Sequence, residues 1–254
     1  MKTDGQEMLK TRQLGIGYNG KALISDINVG LNEGDIVALA GPNGAGKSTL
    51  FKTLTCNIKP VSGEIILMGR ELSTYKAAER ASLFSIVLTE KPDDMFLKVF
   101  DIVATGRYPH LGLMAHLKEE DEAIVMQSLE TVGISALANR NFVSLSDGEK
   151  QKVMIAKALA QDTPIIYMDE PAAFLDYPSK IELMHLMTRL AREQGKAILF
   201  SSHDLELLLR YSDQMWLVAH KKALLSGTPS QLLKCGAIDD YFNIDAATLF
   251  QHLT

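Results

Sequence analysis

The segment GPNGAGKST, Gly41 to Thr49, constrains this chain more than any other. It satisfies G-x-x-x-x-G-K-[ST], follows the apolar run IVALA and precedes STLFKTLTC, so the order strand, glycine loop, helix is predicted around it. In that setting Gly41, Pro42, Asn43, Gly44, Ala45 and Gly46 let the backbone turn several N–H groups toward phosphate oxygens, and the helix start adds its partial positive charge. Lys47 is placed to reach the β- and γ-phosphates, Ser48 to ligate Mg2+, and Thr49 completes the motif. A second apolar run, IIYM, ends in Asp169 and Glu170. A strand that delivers one carboxylate toward a phosphate-bound cation and a second toward an attacking water suits phosphoryl chemistry.

The runs MLKTRQLGIGY, ALISDINVGL, GEIILMG, PIIYMDE and KAILFSSHD read as strands, and QMWLVAHKKALLSG as a hairpin turning at His220 to Lys222. IVALA and IIYM lack strict alternation, as strands covered on both faces do. From about Lys91 to Gln161 the pattern becomes helical: VFDIVATG, EEDEAIVMQSLETVG and EKQKVMIAKALA carry apolar residues three and four apart. The fold expected is α/β: a P-loop NTPase core sheet (RecA-like) with an antiparallel β subdomain and an inserted α-helical subdomain. Residues 8–90 and 162–227 form the core, 91–161 the helical insertion and 228–254 a helical tail, which starts at Thr228 as N-cap with Pro229 following.

Composition closes off other classes. A net charge of −5 supplies no basic field for a polyanion, so no nucleic acid is expected as a partner. Cys56 and Cys235 lack metal-ligand spacing and read as reduced thiols. No uncharged apolar run approaches the roughly 18 residues of a membrane span, so a membrane role has to come through a partner.

The phosphate loop, LSDGE ahead of a helix, IIYMDEP, FLD at Phe174 to Asp176 and SSHD around His203 occur in an order that resembles the nucleotide-binding subunit of an ATP-binding-cassette transporter. The resemblance covers almost the whole chain and implies an ATPase that uses ATP and Mg2+. It implies that the signature turn, Ser146, Asp147, Gly148 and Glu149, caps the γ-phosphate held by a second copy, so that two half-sites close on two ATP molecules. The same turn also fits a local capping box between Ser146 and Glu149. By the same resemblance Tyr18 stacks on adenine, His203 contacts the γ-phosphate, and Asp176 communicates across the dimer. Glu170 is the catalytic base, assisted by Lys47 and His203, and the metal ligands are Ser48, Asp169 and Glu90.

Three positions are more acidic than the family pattern. Glu90 stands where a glutamine is expected, Asp147 where a glycine is more usual, and Glu149 where a glutamine is more usual. A carboxylate at position 90 still ligates a cation but has no amide donor. The run DIVATGRYPHLGL is similar to V-x-x-G-R-x-P-H-x-G segments in importers of iron complexes: siderophores, haem and cobalamin. That branch implies permease subunits, a substrate-binding protein acting through them, and a location on the cytoplasmic face of the cell membrane. A soluble cassette ATPase serving cofactor assembly shares every ATP-site motif and stays open at this point.

Overall fold

The chain divides into two units, Met1–Tyr75 with Thr188–Thr254, and Lys76–Met187. The computed structural model describes residues 5–88, 96–111, 116–220 and 222–244. In chain order the first unit contributes β1 (Glu7–Tyr18), β2 (Lys21–Ile27), β3 (Gly30–Asn32), β4 (Ile36–Ala40), α1 (Lys47–Leu54), β5 (Ser62–Leu67) and β6 (Arg70–Glu71). The second holds α2 (Ala77–Ala81), β7 (Phe84–Val87), α3 (Val99–Ala104), α4 (Glu119–Thr131), α5 (Asp147–Ala160) and β8 (Ile165–Met168). Helix α6 (Tyr177–Gln194) carries the chain back to the first unit, which ends with β9 (Ala197–Ser201), α7 (Leu205–Tyr211), β10 (Gln214–Leu217), β11 (Leu225–Gly227), α8 (Pro229–Lys234) and α9 (Ala237–Phe242).

In the first unit, β4 and β9 are buried at every position. Their unbroken apolar runs are explained by their places: β4 lies between β9 and β10, parallel to both, so neither face reaches water. The antiparallel hairpin β10–β11 closes the edge with Trp216 fully buried beside β4. A separate antiparallel sheet is built around β1, which pairs with β2, β3 and β5. Because β10, β4 and β9 run the same way, their carboxyl ends share one edge, where open α/β sheets bind ligands.

In the second unit β7 and β8 are parallel, and Phe84 and Tyr167 meet edge to face with ring centroids 5.4 Å apart. Helix α5 is the spine of the helical part and packs on both α3 and α4. Its buried stripe, Val153, Ile155, Ala156, Ala158 and Ala160, follows from the three-and-four spacing seen in the sequence. The tail helix α8 starts as expected: Pro229 occupies the first turn, and the Thr228 hydroxyl accepts the Gln231 N–H.

Candidate functional site

The phosphate loop occupies the carboxyl end of β4. Its entry is tight: a Cβ at Gly41 would stand 2.1 Å from the Val218 carbonyl oxygen, so no other residue lets the loop leave the sheet on this path. Its exit uses Gly46 at φ 113, a left-handed cap that delivers Lys47 as the first residue of α1. The Lys47 ammonium is folded over the loop and donates to the Gly41 carbonyl at 2.6 Å and the Pro42 carbonyl at 3.1 Å. Only 7% of this lysine is exposed, so its charge is held in the loop's concavity with its stem immobilised. Ser48, the next residue of the first turn, is exposed.

Two further expected residues lie in this unit. Tyr18 ends β1 as an exposed residue, 52% accessible, and its hydroxyl is 3.4 Å from the Thr49 hydroxyl, which joins it to the first turn of α1. His203 follows β9 on the turn to α7, where the Ser202 hydroxyl accepts the Asp204 N–H and the Asp204 carboxylate caps the helix at the Leu207 N–H. The imidazole is thus displayed at the edge that carries the phosphate loop. A further neighbour carries no signal in the local pattern: the ring of His220 lies 3.6 Å from where a Cβ on Gly44 would stand.

In the second unit, β8 ends on Asp169, whose N–H bonds the Val87 carbonyl at 2.8 Å and so continues the ladder one residue past the strand. Glu170 then adopts φ 50, a left-handed backbone that costs a non-glycine residue about 1–2 kcal/mol. That turn stops the strand and sends the chain through Pro171 with both carboxylates half-buried. Glu90 lies outside the described residues.

The signature turn begins α5. Ser146 is the N-cap: its hydroxyl accepts the Glu149 N–H at 3.3 Å, while Glu149 Oε2 accepts the Ser146 N–H at 2.8 Å. The expected capping box is therefore formed. The Ser146 N–H, then its hydroxyl, hold the Glu149 carboxyl below the ordinary carboxylate range. Asp176 caps α6 by accepting the Ser179 N–H at 3.0 Å, and its carboxyl is lowered by the Ser179 hydrogen bonds. Ser146, Asp147, Gly148, Phe174, Leu175 and Asp176 line one open hollow of about 650 Å3, so the signature turn and the FLD turn share a surface.

The GRYPH segment buries Gly106 and Arg107 and leaves Tyr108, Pro109 and His110 exposed. Residues Thr105–His110 form a 3-10 turn against the carboxyl end of α5. The Arg107 guanidinium donates from Nη1 to the Ala160 carbonyl at 2.8 Å and from Nε to Asp121 at 3.0 Å, with both charged residues buried. His110 Nε2 bonds the Gln161 carbonyl at 2.8 Å, and the Gln161 amide in turn donates to Ala81 and Phe84. A cation and an imidazole donor thus cap orphan carbonyls at a helix C-terminus. Asp121 is held below the usual range by the Lys118 N–H and then by Arg107. Tyr108, between the two anchors, is 61% exposed.

Comparison with known proteins gives this arrangement its context. The ABC transporter family matches residues 24–173. An ABC transporter ATP-binding protein of Methanocaldococcus jannaschii is 40% identical over 94% of this chain and 83% of its own length. The achromobactin transport ATP-binding protein of Dickeya dadantii is 36% identical over 93% of this chain and 88% of its own. The iron(3+)-hydroxamate import ATP-binding protein of Bacillus subtilis is 34% identical over 94% and 88%. A solved structure described as a metal-chelate type ABC transporter in an inward-facing conformation superposes with a TM-score of 0.83 at 28% identity, covering 94% of this chain and 90% of that one. The family match includes both phosphate loop and signature turn, and the relatives align across both units, so the chain belongs to the ABC transporter family as one of its ATP-hydrolysing, ATP-binding subunits.

Proposed function

We propose that this ATPase drives an importer of iron complexes, siderophores being the cargo class best supported by the names of its relatives. Permease subunits would carry the cargo across the membrane, with a substrate-binding protein delivering it to them. No helix among the described residues is long and apolar enough to cross a membrane, which is consistent with docking at the cytoplasmic face through those subunits. In this reading residues 91–161 are the helical signature subdomain, 8–90 with 162–227 the nucleotide core, and 228–254 a helical tail.

The observation that carries the mechanism is the exposed signature turn, with Ser146 and Gly148 lining one hollow beside Asp176. Two copies would close so that the turn of one meets the γ-phosphate held by Lys47 and the loop of the other. Tyr18 would stack its exposed ring on adenine, and Asp176 would carry the state of one half-site to its neighbour. Glu170 would take a proton from water as its oxygen attacks the γ-phosphorus and the bond to the departing ADP oxygen breaks, with His203 donating to the γ-phosphate oxygens. Hydrolysis then removes the charge that holds the two copies together.

The donor set suits Mg2+. Among the described residues no cluster of three or more His, Cys, Asp or Glu could hold a metal ion. Mg2+ is typically bound by one or two protein oxygens, waters and the phosphates themselves, and the exposed Ser48 hydroxyl and the Asp169 carboxylate are such hard donors, with Glu90 a third. When bound it would neutralise charge on the β- and γ-phosphates.

Glu170→Gln tests the assignment. The variant should bind ATP, lose at least 100-fold in turnover, and accumulate as a dimer in ATP by size-exclusion chromatography. Normal turnover would remove Glu170 from the role of base.

A further inference from the structure

We propose that Glu149 is a positioning residue that latches the Ser146 hydroxyl, so that docking a γ-phosphate on the signature turn requires breaking an internal hydrogen bond. The inference rests on the reading that Ser146 meets the nucleotide of a second copy. It starts from the direction of one proton. The Ser146 hydroxyl oxygen stands 2.9 Å from Glu149 Oε2, and the same carboxylate oxygen accepts the Ser146 N–H at 2.8 Å. A carboxylate has no proton to give, so the hydroxyl must be the donor. A serine hydroxyl carries only one proton, and here it is spent on Glu149.

The other side of the oxygen is engaged as well, since it accepts the Glu149 N–H at 3.3 Å. An anion approaching Ser146 from the hollow therefore meets lone pairs on the hydroxyl and a full negative charge behind them. Asp147 adds a second carboxylate in the same first turn of α5. The two acids occupy the positive end of the helix, the place an incoming phosphate would otherwise take without competition. To donate to a phosphate oxygen, the Ser146 O–H must rotate away from Glu149 and break a charge-assisted hydrogen bond, roughly twice as strong as a neutral one. The Gly148 N–H takes no part in the box, which joins only Ser146 and Glu149.

A glutamine at this position separates charge from capping. Its amide oxygen still accepts the Ser146 N–H, so the helix start survives, but its hold on the hydroxyl is that of a neutral acceptor and the carboxylate field is gone. Glu149 thus raises the ATP concentration at which two copies close, without touching the nucleotide held by its own phosphate loop.

The test uses the full chain carrying Glu170→Gln, so that closed dimers accumulate, with and without Glu149→Gln, and reads dimer formation against ATP concentration by light scattering. Glu149→Gln should lower the half-saturating ATP roughly five- to ten-fold, the gap between a charged and a neutral hydrogen bond. Binding of a fluorescent ATP analogue to the monomer should stay unchanged, and the melting temperature should fall by no more than about 2–4 °C, the loss of one charge-assisted capping bond. An unchanged or raised half-saturation overturns the latch. Ser146→Ala in the same background separates the latch from the reading beneath it. If that variant no longer dimerises with ATP while Glu149→Gln has no effect, the latch alone fails. If Ser146→Ala dimerises normally, the assignment of the turn to a second copy's nucleotide fails.

Discussion

Gly106→Ala offers a sharp test of how the helical unit is held together. A Cβ on Gly106 would stand 2.3 Å from the Lys157 carbonyl oxygen and 3.2 Å from both the Ala160 Cβ and the Gln161 nitrogen. Even weak carbon–oxygen contacts stay near 3.3 Å or more, so the 3-10 turn must retreat from α5 by about 1 Å. Both hydrogen bonds that tie it to the helix end are 2.8 Å long, Arg107 to Ala160 and His110 to Gln161. A retreat of about 1 Å takes them past hydrogen-bond reach. Losing one neutral bond at about 1 kcal/mol and one charged bond at about 2 kcal/mol gives about 3 kcal/mol in all. For a chain of this size each kcal/mol moves the midpoint by about 2–4 °C, so a fall of roughly 6–12 °C is expected by calorimetry or circular dichroism. Gly133→Ala is the control: at φ +74 with nothing within 4 Å of its Cβ, it carries only the left-handed penalty of about 1–2 kcal/mol. If Gly106→Ala melts no lower than Gly133→Ala, the close approach is not what fixes the turn and the reasoning fails.

Two further outcomes can be checked with the isolated chain. The Asp121 carboxyl is lowered by the Lys118 N–H and by Arg107. A depressed acid contributes stability that is fully present above its ordinary pKa near 3.9 and is lost as pH falls through the folded value. Urea midpoints of the parent and Asp121→Asn should therefore differ at pH 7 and converge below about pH 4; a gap constant from neutral to acid would deny the carboxylate that role. At Tyr18, the hydroxyl contact to Thr49 is long, 3.4 Å, while the ring is open to solvent. Tyr18→Phe should leave the KM for ATP within two-fold of the parent, and Tyr18→Ala should raise it roughly ten-fold at similar kcat, as loss of a stacked aromatic does. Equal effects of the two substitutions would point to the hydroxyl instead.

Much of the fold was legible because local chemistry and global architecture agree. The buried runs of β4, β8 and β9 declared themselves by their unbroken apolar character, and α4 and α5 by their spacing. Thr228 with Pro229 and Ser146 with Glu149 announced helix starts that the structure forms. What escaped was whatever local pattern does not encode. Helix α6, the longest at 18 residues, opens Tyr-Pro-Ser directly after FLD, a turn-like start that hid it. The place of His220 beside Gly44 depends on β10 lying next to β4, a pairing between segments 177 residues apart in the case of Gln214 and Val37.

The GRYPH segment shows how a motif can be recognised from its string while the work of each residue stays hidden in it. Read as a string, its glycine, arginine, proline and histidine are similar to a segment of iron-complex importers and do not tell what each side chain touches. In the structure the glycine exists for its lack of a side chain against Lys157, the arginine is buried on Asp121 and Ala160, and the histidine bonds Gln161. Tyr108, Pro109 and His110 are exposed, and Tyr108 is the large apolar side chain among them. The motif therefore fixes one end of the helix whose other end is the signature turn, and α5, at 14 residues, is a rod of about 21 Å between them. A displacement applied at Tyr108 reaches Ala160 and Gln161 through two short hydrogen bonds and a close packing contact, with no loop in between to absorb it. Sequence spacing alone holds no trace of that rigidity, because it arises from backbone carbonyls that any residues at those positions would supply.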